Sequence, residues 1–240
     1  MPHISDLGDP IGTPIPTGWN APARPIRAVI PGRLVRLEPL VVAHAEALHE
    51  ANMQGPEGRN WTYLPYGPFA SVDAYRDWVG SVTRDGDPMF YAIVRQEDGR
   101  AVGVASYLRV APAAGSIEVG HINNSPLLQR HPGATETMYL MMKWAFETGY
   151  RRYEWKCDAL NAPSRRAAMR LGLSYEGVFR QATIYRNRNR DTAWYAAIDS
   201  EWPTIETAFK TWLDPSNFDA EGQQKQSLSA LTRPILVNIG

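Results

Sequence analysis

Apolar and polar residues follow two different periods in the first half of the chain. They alternate at residues 34–40, which predicts a strand, and apolar side chains recur at helical spacing in residues 41–52 and 72–82. Ser71 is expected to cap the second helix, because a serine oxygen can accept a hydrogen bond from an unpaired N–H of the first turn. These patterns predict one strand followed by two helices.

A longer series of elements follows. The predicted order is strands 89–95, 101–110 and 116–123, helix 134–148, strand 150–158, helix 163–171, strands 174–185 and 191–198 across the turn 186–190, and helix 201–213. Asp98-Gly99 supplies the positive φ that a tight hairpin needs, and Gly149 is expected to end the longest helix. The order predicts an α+β fold, with a mixed, mostly antiparallel sheet flanked by helices. It does not show the strict strand–helix alternation of a doubly wound fold.

The two ends of the chain lack this periodicity. Residues 1–32 are rich in Pro, Gly and small side chains, and we interpret them as an extended N-terminal arm, with a disordered tail as the alternative. The side chains that could hold such an arm on the domain are Trp19, Ile26, Val29 and Ile30. The predicted elements therefore define one domain at 33–199, followed by a C-terminal helix and polar tail at 200–240.

Composition narrows the class of protein. The 240 residues are 44% hydrophobic and 21% charged, as in globular proteins, and 25 basic against 25 acidic residues give a formal net charge of zero. That balance argues against a bulk electrostatic grip on nucleic acid or an anionic membrane. No apolar run approaches the ~18 residues of a membrane span, and the N-terminus has no apolar signal region, so we expect a cytoplasmic protein.

Cysteine content limits two further kinds of site. The chain has one cysteine, Cys157, which excludes an intrachain disulfide and a Cys-rich metal site. Cys157 stands in the middle of a predicted strand among apolar neighbours. We therefore expect it to be a core residue rather than a nucleophile, and we expect no metal cofactor.

The segment 118–177 combines features that suit a phosphorylated ligand. An apolar strand leads into the loop Gln129-Arg130-His131-Pro132-Gly133, and an amphipathic helix begins directly after it. A helix N-terminus presents unpaired N–H groups and a partial positive charge, so it attracts anions. A second turn, Asn161-Ala162-Pro163-Ser164, opens the next helix and could complete the same site.

These elements and several short motifs resemble the GNAT superfamily of acyl-CoA-dependent N-acyltransferases, most closely its RimJ/RimL-like branch. The motifs that carry the resemblance are Asn161-Ala162-Pro163-Ser164, Leu171-Gly172, Glu176-Gly177, Arg180, Arg190-Asp191-Thr192 and Glu201-Trp202-Pro203. The resemblance covers about residues 33–199. It implies a fold with two splayed central strands that hold the pantetheine arm of acetyl-CoA, and a loop before the main helix that wraps the pyrophosphate.

The resemblance implies acetyl-CoA as co-substrate, or a larger acyl-CoA such as succinyl-CoA. The residues it assigns to CoA binding are Ile122, Asn123, Gln129, Arg130, His131, Gly133, Ala134, Thr135, Asn161, Ser164 and Arg166. If Gln129 takes the first position of the family's loop pattern, Pro132 stands where a glycine is expected and donates no N–H. If Arg130 takes that position instead, Gly133 fits the pattern but Thr135 stands at its end. A side-chain contact from Arg130 or His131 could replace the missing backbone contact.

Acyl transfer to an amine needs a group that takes the ammonium proton and a group that protonates the leaving thiolate. Glu118, on the strand expected to hold the thioester, is the first candidate for the base, with an ion-pair role as the alternative. His121 is expected to share the face of Glu118 and could relay a proton. Ser164 is the candidate acid, with helix capping as its alternative, because Ala168 stands where many family members carry a tyrosine.

The acceptor side is suggested by an aromatic loop. Trp61, Tyr63 and Tyr66 fall between the first two helices, in the loop that lines the acceptor site in this family, and a small satellite core is the alternative. The expected activity is direct transfer of an acetyl group to a small amine, a lysine or a protein N-terminal amine. A CoA-binding sensor with little turnover is the alternative. The arm and residues 214–240 could pack on a second subunit, giving a homodimer, or cover the acceptor site.

Overall fold

The computed structural model describes residues 3–55, 58–84 and 86–240. The strands are β1 His3–Ile4, β2 Pro10–Ile11, β3 Ile30–Pro31, β4 Val35–Pro39, β5 Met89–Arg95, β6 Ala101–Ala111, β7 Ser116–Asn124, β8 Arg152–Asp158, β9 Ser174–Tyr185 and β10 Arg188–Ile198. The helices are α1 Ala45–Asn52, α2 Val72–Val82, α3 Pro132–Glu147, α4 Ala162–Arg170, α5 Trp202–Leu213 and α6 Leu228–Thr232. Single 3-10 turns lie at Val42–His44, Arg59–Trp61, Pro112–Ala114, Pro215–Asn217 and Arg233–Ile235.

Eight strands form one mixed sheet in the order β3-β4-β5-β6-β7-β8-β10-β9. Its central pair, β7 and β8, is parallel and is connected through α3, whereas the other neighbours in this sheet are antiparallel. Strands β1 and β2 form a separate two-stranded ribbon. The sheet confirms the predicted mixed, mostly antiparallel architecture.

The central parallel pair separates part-way along its length. Its ladder ends where Val119 pairs with Trp155, although β7 continues to Asn124 and β8 to Asp158. Beyond that point β7 stays paired with β6, and β8 stays paired with β10. A V-shaped gap therefore opens in the middle of the sheet, as the resemblance implied.

A β-bulge accompanies this separation. On β6, Val104 and Ser106 are two residues apart, but their partners on β7, Asn123 and Gly120, are three residues apart. The bulge contains His121, whose φ of 53° lies in the left-handed region. An extra residue bends and twists the strand that carries it, and this bulge lies where the ladder between β7 and β8 has ended.

Apolar layers cover both faces of the sheet. Along β5, Met89, Tyr91 and Ile93 enter the layer that includes α3, α5 and α6, and the alternate residues enter the layer under α1 and α2. Because neither face of β5 meets solvent, its sequence is continuously apolar rather than alternating.

The N-terminal arm lies on its own chain. Trp19 Nε1 donates to the carbonyl of Gly149 at 3.3 Å, and the Tyr150 hydroxyl donates to the carbonyl of Ala23 at 3.0 Å. Ile30 is half-buried and belongs to β3. Ile26 is 71% exposed, so its side chain does not anchor the arm, and neither does the exposed Val29.

The C-terminal segment continues the same core. Leu228 of α6 is fully buried, α6 packs against α4 and α5, and the carbonyl of Asn238 accepts from the Tyr175 N–H at 3.1 Å. The tail is therefore a structural part of the described chain. The sequence patterns predicted neither α6 nor the three short N-terminal strands, because each is too brief to show a period.

Two of the predicted boundaries that differ from the structure do so for local reasons. Helix α3 begins at Pro132 rather than at residue 134, because proline's fixed φ suits a first helical position and its missing N–H is not needed there. Strand β10 begins at Arg188 rather than at residue 191. Arg186 and Asn187 alone make the turn, both with positive φ, instead of the five-residue turn that was expected.

Candidate active site

A cavity of about 690 Å³ opens where β7 and β8 separate. Of the predicted site residues, those that line it are Tyr63, Glu118, His121, Ile122, Asn161 and Ser164. They come from the aromatic loop, β7 and the start of α4. The separation of the strands therefore brings together residues that are distant in sequence.

Glu118 is the buried centre of a charge cluster that reaches the surface at Arg109. It is 3% exposed, and its two oxygens pair with Arg109 Nη1 at 2.7 Å and with Lys156 Nζ at 2.8 Å. Lys156 also pairs with Glu154 at 2.8 Å. Burial raises the pKa of Glu118, while the hydrogen bond from Lys156 and the charge of Arg109 oppose that shift. Both oxygens of Glu118 thus hold cations, which is the alternative role proposed from the sequence.

His121 is a half-buried imidazole beside Glu118 in the cavity wall. It follows Glu118 by three residues, so regular alternation would place the two on opposite faces, and the bulge restores the common face that was predicted. The Tyr66 hydroxyl lies 3.1 Å from His121 Nδ1, and the two rings stack with centroids 5.6 Å apart. Burial, aided by the charges of Arg109 and Arg190, lowers the pKa of His121 to about 4. The ring is therefore neutral at pH 7.

The first turn of α4 places two polar side chains in the cavity. Asn161 Oδ1 accepts from the Ser164 N–H at 3.1 Å, so Asn161 is the residue that caps the helix. Ser164 Oγ accepts from Trp155 Nε1 at 3.0 Å, so its own hydroxyl hydrogen can be donated either to the neighbouring Cys157 sulfur or to a ligand. The side chain of Ser164 therefore does not cap α4, which was its alternative role.

Cys157 belongs to the apolar core, as predicted, and also lines the cavity near Ser164. Burial raises the pKa of its thiol, against the effect of a hydrogen bond with Ser164. The thiol is therefore protonated at neutral pH, a state that is unsuited to nucleophilic attack.

The loop before α3 satisfies most of its own N–H groups. The Gln129, His131 and Ala134 amides donate to loop carbonyls, and the Gly133 amide donates to His131 Nδ1 at 3.0 Å. Arg130 takes a positive φ of 60°. His131 thus caps the start of α3. Fewer backbone N–H groups are left there to bind an anion than at an uncapped helix N-terminus.

The three aromatic residues of the predicted acceptor loop have different positions. Trp61 is 3% exposed and packs edge-on against Phe69 with centroids 5.3 Å apart, so it belongs to the satellite core under α1 and α2. Tyr66 packs on the same core, does not line the cavity, and contacts the cavity residue His121. Tyr63 alone of the three lines the cavity, and its hydroxyl donates to the carbonyl of Leu160 at 3.2 Å.

The sequence analysis missed the charged residues of the cavity wall. Arg109, Lys156, Asp158 and Arg190 all line it, from β6, β8 and β10. Charged residues alternate with apolar ones along β8, and a lysine in a strand expected at the centre of the sheet, such as Lys156, is a signal that could have been used, because such a charge is rarely buried without a partner.

A family model described as "Acetyltransferase (GNAT) domain" matches residues 34–174, more than half of the chain and including the separated strands. The chain belongs to the GNAT acetyltransferase family. The GNAT fold agrees with the mixed sheet and the V-shaped gap described above.

Known GNAT proteins extend the likeness over most of the chain. A GCN5-related N-acetyltransferase from Brucella melitensis is 41% identical, with a TM-score of 0.87 over 90% of this chain and 99% of that one. An uncharacterized N-acetyltransferase from Bacillus subtilis, YnaD, is 28% identical over 141 residues, which is 58% of this chain and 81% of that protein. RimL, a ribosomal L7/L12 alpha-N-protein acetyltransferase solved with coenzyme A, shares the fold at 22% identity, with a TM-score of 0.57 over 72% of this chain and 99% of that one. The protein is therefore an acyl-CoA N-acetyltransferase with the RimL type among its structural neighbours.

The GNAT co-substrate, acetyl-CoA, suits what the gap offers. Past Val119 the β7 backbone has no ladder partner on the side of β8. Three buried polar atoms at the end of β7, Asn123 Nδ2, Asn124 Oδ1 and Ser125 Oγ, have no hydrogen-bond partner within residues 3–55, 58–84 and 86–240. Buried polar groups in native proteins are normally paired, but none of these three residues lines the cavity.

Two further findings concern the described part of the chain. It contains no group of three or more His, Cys, Asp and Glu side chains that could hold a metal ion. Across the same residues, no helix combines the length and the apolar character needed to cross a membrane.

Proposed function

We propose that this GNAT protein transfers an acetyl group from acetyl-CoA directly to a primary amine, with both substrates bound together. The observation that carries the proposal is the gap between β7 and β8, which opens into a cavity bearing a neutral histidine and a serine hydroxyl. Acetyl-CoA supplies an activated acyl group as a thioester. A C–N bond replaces the C–S bond, and the proton that the amine loses balances the proton that the released thiol gains.

His121 is proposed to take the proton from the attacking amine. With its pKa lowered to about 4, the imidazole is neutral at pH 7 but a weak base, so it would pass the amine proton on rather than hold it, and the Tyr66 hydroxyl at Nδ1 fixes the ring. Glu118 suits this role less, because both of its oxygens already hold cations. We assign Glu118 the task of positioning Arg109 and Lys156 beside the reacting groups.

Ser164 is proposed to donate a hydrogen bond to the leaving sulfur. Trp155 Nε1 donates to Ser164 Oγ, which directs the hydroxyl hydrogen towards other acceptors. Ala168 leaves no tyrosine hydroxyl on α4 for the same purpose. Asn161, at the start of that helix, is proposed to bind the pantetheine amides together with Ile122 and Asn123 on β7.

The other predicted CoA contacts remain proposals for the diphosphate end. They are Gln129, Arg130, His131, Gly133, Ala134, Thr135 and Arg166. Because His131 occupies the Gly133 N–H, the imidazole would have to turn away for that amide to bind a phosphate oxygen. The exposed Arg130 side chain offers a charge that compensates for Pro132.

A release assay tests the proposal. Acetyl-CoA is incubated with a panel of small amines, lysine derivatives and peptides with free N-termini, and free CoA is measured with a thiol reagent. Amine-dependent release is expected. Measurable CoA binding without release by any amine would contradict the proposal and favour a CoA-binding sensor.

Two substitutions separate the assignments of the base. His121→Gln should lower kcat about 100-fold or more, because general-base catalysis contributes about that much, with little change in the KM for acetyl-CoA. Glu118→Gln should lower kcat less than His121→Gln does. The opposite ranking would return the base role to Glu118. His3→Gln, at an exposed position of β1, is the control and should leave both constants unchanged.

A disulfide trap tests where the thiol end of CoA lies. In the RimL complex, coenzyme A forms a disulfide with a cysteine of that protein. Here Cys157 lines the cavity beside Ser164 and is the single cysteine of the chain. Incubation with CoA disulfide at alkaline pH should add one CoA to Cys157, since its thiolate displaces CoA thiolate from the reagent. Intact-mass measurement detects the adduct. An adduct should be absent in Cys157→Ala, and an unmodified wild type would place the CoA thiol elsewhere.

A further inference from the structure

Arg190 is a charged side chain of the cavity that the proposed chemistry does not use. It lies on β10, is half-buried and lines the cavity together with His121 and Cys157. Its Nε atom is buried and has no hydrogen-bond partner among residues 3–55, 58–84 and 86–240. A buried guanidinium N–H without a partner is costly, so a partner supplied by a ligand would stabilise it.

The charges around the cavity leave Arg190 uncompensated. The basic side chains that line it are Arg59, Arg109, Lys156 and Arg190, against two acidic ones, Glu118 and Asp158. Glu118 is already paired with two of the cations. Asp158 accepts from the Tyr185 hydroxyl at 3.0 Å and from the Leu160 N–H at 2.8 Å. Within the described residues, Asp158 forms no ion pair with Arg190 at 4.0 Å or less.

We propose that Arg190 binds a carboxylate of the substrate inside this cavity. A guanidinium presents a planar fork of N–H donors that matches a carboxylate, and the low dielectric of a half-buried site strengthens the pairing. Thr183 and Thr192 line the same cavity, and their hydroxyls can donate to the remaining carboxylate lone pairs. The inference rests on the proposed function, because it assigns a charge to one substrate of that same reaction.

Two substrates could supply the carboxylate. One is an acceptor that carries it on the same small molecule as the amine. The other is an acyl donor whose acyl chain ends in a carboxylate, of the succinyl type. A cavity of about 690 Å³ has the volume that small-molecule sites commonly have. The separate arms of one kinetic experiment distinguish these sources.

The acceptor arm compares matched pairs of amines with acetyl-CoA as donor. Glycine and β-alanine are compared with their carboxamides at equal concentrations of free amine, so that only the charge differs. If the acceptor supplies the carboxylate, kcat/KM for the acids should exceed that for the amides by about 10- to 100-fold, the usual range for a charge-assisted hydrogen bond.

The donor arm keeps one amine and changes the acyl group. Succinyl-CoA is compared with its monomethyl ester and with acetyl-CoA. If the donor supplies the carboxylate, succinyl-CoA should be preferred over the methyl ester by a similar factor. Equal rates within the pairs of both arms would overturn the proposal.

Substitutions of Arg190 complete the test. Arg190→Gln should abolish the preference for the carboxylate, so that the ratio of kcat/KM values within each pair falls to about one. Arg190→Lys should restore part of the preference, because it keeps the charge and loses the fork. Arg188→Gln, an exposed position on the same strand, is the matched control and should keep the full preference. A preference that survives Arg190→Gln would contradict the assignment.

A binding measurement separates failure of this inference from failure of the proposed function. The thermal midpoint is recorded with N-acetylglycine against N-acetylglycinamide, and with succinyl-CoA against its methyl ester. A larger stabilisation by the charged ligand that is lost in Arg190→Gln supports the site even if no amine is acetylated. Acetylation of an amine without any preference for the charged substrate supports the proposed acetyltransferase function and rejects the carboxylate site at Arg190.

Discussion

At the scale of single residues, the candidate site is a set of polar groups that burial has altered. Glu118 holds two cations, and His121 is kept neutral by burial and by nearby arginines. Arg190 has a buried donor without a partner in the described residues. Groups of this kind are costly to keep in a fold, which is why they are good candidates for function.

The shifted pKa of His121 predicts how stability depends on pH. Its value falls from an ordinary 6.5 to about 4 in the folded state, so the unfolded chain binds the proton more readily between these values. The contribution of the neutral His121 to the stability of the folded state is fully present above pH 6.5 and is lost as pH falls towards 4. The wild-type protein should lose unfolding free energy between pH 7 and pH 4.5. In His121→Gln this loss should be smaller by about 2 kcal/mol.

Chemical denaturation at the two pH values measures this difference. The result that counts is the change in the pH dependence, since the substitution also changes packing at every pH. His3→Gln, on the exposed β1 strand, serves as the control and should keep the wild-type dependence. If His121→Gln shows the same acid sensitivity as the wild type, the folded-state pKa is not lowered.

At the scale of elements, local irregularities create the site. The bulge in β7 bends that strand and brings His121 onto the face of Glu118, and the cap of α4 directs Ser164 into the cavity. A perfectly regular β7 would place His121 on the opposite face. The site therefore depends on departures from the periods by which its elements were recognised.

Two helix caps give a prediction with an internal control. Asn161 caps α4 beside the cavity, whereas Ser71 caps α2 and does not line it. Asn161→Ala and Ser71→Ala should each lower the unfolding free energy by about 1 kcal/mol, the usual value of a capping bond. Only Asn161→Ala should also raise the KM for acetyl-CoA.

Denaturation and steady-state kinetics on both variants check the pair. Equal KM values for the two variants would mean that Asn161 acts as a cap and does not bind the co-substrate. A rise in KM for Ser71→Ala as well would attribute the change to lost stability rather than to the site.

At the scale of the whole molecule, one core joins the sheet to the C-terminal segment. Leu228 of α6 is fully buried in the same apolar cluster as Trp202, Phe209 and the residues of α3. The arm and the tail both lie on their own chain, through Trp19 and Asn238 among others. Because the N-terminal arm and the C-terminal tail make these contacts with the rest of the chain, we expect both to stabilise the fold.

Truncation of a side chain in α6 tests this role. Leu228→Ala should cost about 2–5 kcal/mol, the range for a buried leucine, and should shift one cooperative transition seen equally by far-UV circular dichroism and tryptophan fluorescence. Leu160→Ala is the control, because Leu160 is 81% exposed, and it should cost less than about 0.5 kcal/mol. A separate early transition in Leu228→Ala would show that the tail unfolds independently of the core.

The sequence by itself determined the elements with strong periods and the family motifs. Helix α2 and strand β5 lie where their patterns predicted them, and the Asn161 turn opens α4 with a cap, because these features depend on neighbouring residues. The family resemblance also pointed to Glu118, His121 and Ser164 as site residues, and all three line the cavity. Local sequence carries such information because backbone period and capping act over a few residues.

Only the tertiary structure decided which charges meet. Arg109, Glu118 and Lys156 come from three strands, and their pairing depends on the register of β6, β7 and β8. The same holds for the burial of Trp61, which the loop sequence alone could not separate from Tyr63. Pairing and burial arise between segments far apart in the chain, so no local period records them.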